Sequence, residues 1–138
     1  PPQTEITDSH ISVRFRHGVH TFYIYVDSQA PFSQVTEELI SILRERYPRG
    51  LTTAVAPPKT TPIPDQPTLA YGALTVPNDP AQGWKRINVG ADGASTPAKC
   101  GVKNNSLVAF TFVDNDQDDE VLFEVEWPRE DEDLYEQG

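Results

Sequence analysis

Two strands that alternate strictly around a glycine, with one amphipathic helix behind them, constrain this chain more than anything else in it. In 11–16, "ISVRFR", the residues Ile11, Val13 and Phe15 fall on one side and Ser12, Arg14 and Arg16 on the other. After the short turn around Gly18, "TFYIYV" alternates again, with Phe22, Ile24 and Val26 opposed to Thr21, Tyr23 and Tyr25. Side chains of a strand point alternately to its two faces, so this is the pattern of a half-buried β-hairpin. In the stretch that follows, Phe32, Val35, Leu39, Ile42 and Leu43 recur at steps of three and four. That spacing makes an apolar stripe along one side of a helix. Pro31 suits its start, Arg44 and Arg46 suit the negative end of its dipole, and Pro48 and Gly50 stop it. The helix then has the hairpin's apolar face to pack on.

The rest of the chain is less periodic. Residues 51–67, "LTTAVAPPKTTPIPDQP", hold many of the thirteen prolines and have no period, so a loop insertion is expected there. "TLAYGALTV" reads as a short strand and "WKRINVG" as another, closed by the turn at 90–93. "SLVAFTFV" reads as a strand, "DNDQDDE" as a hairpin loop and "VLFEVEW" as one more strand. The expected organisation is a flexible lead-in over 1–9, one domain over 10–128, and an acidic tail over 129–138. With 138 residues, a single core of this kind needs no disulfide or metal to hold it. The lone Cys100 cannot form an internal disulfide, reads as a small buried residue and fits a reducing compartment.

Strand, turn, strand, helix, then further strands is a two-layer α+β order, with one helix across a mixed sheet. The stretch "WKRINVGADGASTPAKCGVKNNSLVAFTF" resembles the second half of ubiquitin-like domains of the β-grasp fold. The match lies in Gly101, Val102, Ser106 and Leu107, which form a small turn entering the last strand, and in Gly90 and Gly93 before it. The resemblance covers 10–46 and 84–113. It implies a protein-binding module of a larger protein or assembly, a scaffold or adaptor rather than an enzyme, and an intracellular place in nucleus or cytoplasm. The long connection after the helix and the extra strand "VLFEVEW" depart from the family pattern. A weaker resemblance is to Phox/Bem-type heterodimerisation domains, which pair a basic strand with an acidic motif. "VRFR" would be the basic end and Asp114, Asp116 and Asp118 the acidic one, although Gln117 stands where that motif has glycine.

Candidate contact residues follow. Arg14, Arg16, Tyr23 and Tyr25 share the sheet face that the helix leaves open, and Arg and Tyr are enriched where binding energy concentrates. In the ubiquitin-like register Leu107 and Ala109 turn toward the helix. Val108 and Phe110 then join the open face, unless another segment folds over them. Asp114, Asp116 and Asp118 offer an acidic surface to a basic partner. A calcium loop is disfavoured, because Asp119 occupies the sixth position and Val125 the twelfth, where glycine and glutamate belong.

Charge and motifs limit the alternatives. The net charge of −10, with more than half the acids after Val113, argues against nucleic acid as the partner. No stretch approaches a membrane span. His17 and His20 flank a turn without a matching acidic ligand, so exposed turn histidines are expected rather than a metal site. No nucleophile, phosphate-loop or zinc spacing is present, and neither catalytic residues nor a cofactor are expected.

Overall fold

The computed structural model describes residues 8–114 and 120–127. The predicted hairpin forms as β1 (His10–His17) and β2 (His20–Asp27), fully in register from His10 opposite Asp27 to His17 opposite His20. Gly18 takes the first central position of its two-residue turn at φ 55°, in the left-handed region that suits glycine. Space also requires glycine there. A Cβ would lie 2.0 Å from the carbonyl oxygen of Thr52. The predicted helix is α1 (Phe32–Arg46), with Pro31 one place before it and Arg44 and Arg46 in its last turn. Its stripe buries Phe32, Val35, Leu39 and Leu43.

Five further strands complete the fold: β3 (Leu51–Ala54), β4 (Lys59–Thr61), β5 (Thr68–Leu74), β6 (Trp84–Arg86) and β7 (Ser106–Val113). The main sheet runs β2-β1-β7-β5-β6. β7 lies parallel to β1, and every other neighbouring pair is antiparallel. With α1 across one face this is the β-grasp order, as expected. β3 and β4 form a separate two-stranded sheet inside the segment 51–67, where the sequence pattern predicts only a loop. Tertiary bonds hold that hairpin. Val19 donates its N–H to the Thr52 carbonyl (3.2 Å), and Thr52 donates to Nε2 of His20 (2.8 Å).

Two expectations about the C-terminal part are corrected. In the parallel ladder Phe15 stands opposite Val108 and Arg16 opposite Ala109. Val108 and Phe110 therefore share the helix face with Val13 and Phe15, and both are buried. The rings of Phe110 and Phe22 lie 6.0 Å apart. A register differing by one residue exchanges the two faces of a strand. The larger side chains take the face that has a helix to fill it. The second correction concerns "VLFEVEW", which forms no ladder. It makes a single parallel bridge, Gly18 to Val125, and lies as a strap on the face opposite α1.

The core runs continuously from β2 through β1, β7 and β5 to α1. Tyr71 on β5 sits at its centre, 4.7 Å from the Phe32 ring and 6.1 Å from the Phe15 ring. Its hydroxyl shares a 2.6 Å hydrogen bond with that of Thr36 on α1, so the one polar atom of this large buried ring is satisfied. Leu39, fully buried at the middle of the helix stripe, supports the same cluster. Leu39→Ala is expected to lower unfolding stability by about 2–5 kcal/mol through lost burial and a residual cavity. Urea titration followed by circular dichroism measures this as a lowered midpoint with an unchanged slope.

Candidate functional site

The sheet face opposite α1 divides into an open half on β1 and β2 and a covered half on β7, β5 and β6. In the open half Tyr23 lies opposite Arg14 and Tyr25 opposite Ser12. Tyr23 is 74% exposed and Tyr25 58% exposed, two large rings in line on an edge strand. Arg14 is half-buried and donates to the Asn105 carbonyl at 2.9 Å, which ties the guanidinium to the turn entering β7. Together these residues form a flat aromatic and cationic patch suited to protein contacts.

Arg16, expected in the same patch, is only 7% exposed. Its Nη2 donates to the carbonyls of Gly18 and Glu126, both at 2.9 Å, and its Nε donates to that of His20 at 3.0 Å. The Trp127 ring lies 5.0 Å from the guanidinium carbon. Alternation places Arg16 on the outer face correctly, but the strap covers it. Its charge is spent on backbone carbonyls within the chain. Val108 and Phe110 lie in the core and are removed from any contact surface. Asp114 is exposed at the end of β7, while Asp116 and Asp118 lie outside the described residues. The structure thus brings together Arg14, Tyr23 and Tyr25 of the predicted set.

His17 and His20 are not exposed turn residues. His17 is buried at 1% exposure, and His20 is half-buried with its ring 4.4 Å from that of Tyr47. Nδ1 of His17 lies 3.0 Å from the Phe110 carbonyl, which can only accept, so this nitrogen carries the proton. Nε2 then accepts from the Thr53 hydroxyl at 2.8 Å, and Thr53 in turn meets Thr61 across the β3–β4 hairpin. Nε2 of His20 accepts from the Thr52 N–H. The accepted N–H makes the His20 ring neutral, burial disfavours the charged form of His17, and both rings dock β3 onto the end of the main sheet. Nothing in a turn sequence "HGVH" distinguishes this role from exposure, because the partners come from β3 and β7.

No protein-family model matches the chain, and no curated protein matches it. Among solved structures the chain is similar to one chain of the "MycP5-free ESX-5 inner membrane complex, State II", at 12% identity and a TM-score of 0.49. That likeness covers 94% of this chain and 26% of the other, so this chain spans about a quarter of that one's length. No helix among the described residues is long and apolar enough to cross a membrane.

The two histidines make stability depend on pH. Burial holds both below the ordinary value of 6.5, and the neighbouring His17 and Arg16 add to the effect at His20. With a depressed folded pKa the unfolded chain binds more protons at acid pH. Stability is therefore full above about pH 6.5, falls as pH drops through it, and levels off once the folded-state values are passed. Urea midpoints measured between about pH 7.5 and pH 5 should fall on acidification for the native chain. The fall should be shallower for His17→Phe, which keeps a ring against Phe110 but cannot titrate.

Proposed function

We propose that the chain is a non-catalytic protein–protein interaction module, ubiquitin-like within the β-grasp fold, that docks a partner through the open β1–β2 half of its outer sheet face. The observation that carries this reading is the exposed pair Tyr23 and Tyr25 beside Arg14 on an edge strand. Rings of this size are seldom left so open in line without use, and Tyr and Arg supply much of the energy at protein interfaces. The turn residues Gly101, Val102, Ser106 and Leu107, leading into a β7 that lies parallel to β1, support the ubiquitin-like branch. The exposed Asp114 and the acidic sequence after it would give a second contact to a basic surface on that partner. The module acts without cofactor or catalytic residue, in the nucleus or cytoplasm. The Phox/Bem-type alternative needs a basic β1, and the commitment of Arg16 to three internal carbonyls counts against it.

Affinity capture with the full chain as bait tests the reading, comparing it with Tyr23→Ala/Tyr25→Ala, Arg14→Glu and Asp114→Ala. The double tyrosine variant should keep its urea midpoint, because the side chains are exposed, and should bind a captured partner about tenfold or more weakly. Asp114→Ala should weaken binding less, by an amount that shrinks as salt screens the charge. Equal capture by the native chain and the tyrosine variant would overturn the assignment.

A further inference from the structure

The covered half of the outer face is a row of small side chains that a segment of this chain overlies. The pairings Arg16–Ala109, Ala109–Gly72 and Gly72–Arg86 form one row across β1, β7, β5 and β6. The row reads arginine, two minimal side chains, arginine. It is a shallow trough with a cationic residue at each end, and Lys59 of β4 reaches the segment that fills it. Segment 120–127, "EVLFEVEW", lies along it. Phe123 drops its ring onto Gly72, so closely that a Cβ on Gly72 would come within 2.8 Å of the ring. Trp127 stacks on Trp84 at 6.3 Å with the planes 10° apart, and also receives the Arg16 guanidinium. Glu124 pairs with Lys59 at 3.0 Å. The backbone is read at two residues. Gly18 donates to the Glu124 carbonyl (2.7 Å) and accepts from the Glu126 N–H (2.8 Å), while Arg16 donates to the Glu126 carbonyl.

The segment sets Phe123 over Gly72, Glu124 one place later against Lys59, and the Trp127 indole four places after Phe123 against Trp84. Yet the strap is attached lightly. It contributes no residue to the hydrophobic core, which closes without it among the described residues. It makes one isolated bridge instead of a ladder, its ion pair is exposed, and Leu122 is 73% exposed. Exposed ion pairs and single bridges hold little against thermal opening.

We propose that this trough is a recognition groove for an extended acidic peptide bearing Phe-Glu and Trp in this spacing, and that segment 120–127 fills it in cis as a built-in substitute that a partner's peptide displaces. This rests on the reading of the chain as a docking module, but uses a different part of the surface from Tyr23 and Tyr25. The groove would stay closed until a competing peptide is present at sufficient concentration, since a tethered occupant competes at high effective concentration.

The test uses the full chain and a fluorescein-labelled peptide of residues 120–127, followed by anisotropy. Phe123→Ala/Trp127→Ala empties both aromatic seats and should bind the peptide about tenfold or more tightly than the native chain does. Adding Gly72→Leu to that variant should abolish the gain, and raised salt should weaken it. A folded double variant that binds the peptide no better than the native chain overturns the proposal. Hydrogen exchange covers the case in which the variant fails to fold. The Glu126 amide of the native chain should exchange faster than those of β7. Exchange at the same rate would make the strap part of the global fold and overturn the proposal. A light-scattering mass of two chains for the native protein, falling to one in the double variant, would assign the groove to the strap of a second copy and overturn the cis arrangement. Since the peptide titration does not involve Tyr23 or Tyr25, a failed capture through that pair leaves its result readable.

Discussion

The parallel pairing of β1 with β7 is the contact on which the rest of the structure depends. It joins the N-terminal hairpin to the last strand across nearly the whole chain, with Phe15 against Val108 and Arg16 against Ala109. A parallel neighbour requires a long crossover, and α1 with the strands after it supplies one. Once that register is set, Val108 and Phe110 face α1, Leu107 and Ala109 fall on the opposite face, and Ala109 is the β7 residue in the row of Arg16. Gly72 opposite Ala109 continues the small-residue line onto β5. The core on one side and the trough on the other are thus two results of one register.

How much of this could be read from the sequence follows from where the information lies. The hairpin and helix were legible because their periods, two and then three to four, are local and unambiguous at Val13, Phe15, Leu39 and Leu43. The face of β7 was not, because "SLVAFTF" is apolar at almost every position and either register satisfies an alternation rule. The outcome was decided by volume, with Phe110 where there is a helix to meet it and Ala109 where the strap lies. The β3–β4 hairpin was illegible for a different reason. Its apolar pattern is weak, and it is held by His17, His20 and Gly18, whose part in it depends on contacts distant in sequence. Arg14 and Arg16 are equivalent by alternation. Only the strap, which no period in β1 reveals, separates an accessible guanidinium from a covered one.

The functional surface inherits this division. Tyr23 and Tyr25 stay open because β2 is the sheet edge farthest from β5 and β6, where Phe123 and Trp127 are seated. The strap reaches only as far as Arg16 on β1. Its acids are not distributed at random along it. Glu124 meets Lys59, and the backbone on either side of Val125 meets Gly18. An acidic chain is therefore used against itself on one half of the face, while the other half presents aromatic surface beside a cation.

Gly18 links these two halves to the buried histidines. Its N–H and carbonyl bond the strap, its carbonyl also accepts from Arg16, and its missing side chain lets the Thr52 carbonyl approach. Thr52 in turn bonds His20, and Thr53 bonds His17. One two-residue turn thus carries the strap on one side and the β3–β4 hairpin on the other. The Thr52 backbone that bonds His20 therefore lies directly against the turn that holds Glu124 and Glu126. The trough and the small sheet thus meet at Gly18, which bonds the strap through its backbone and admits β3 through its missing side chain.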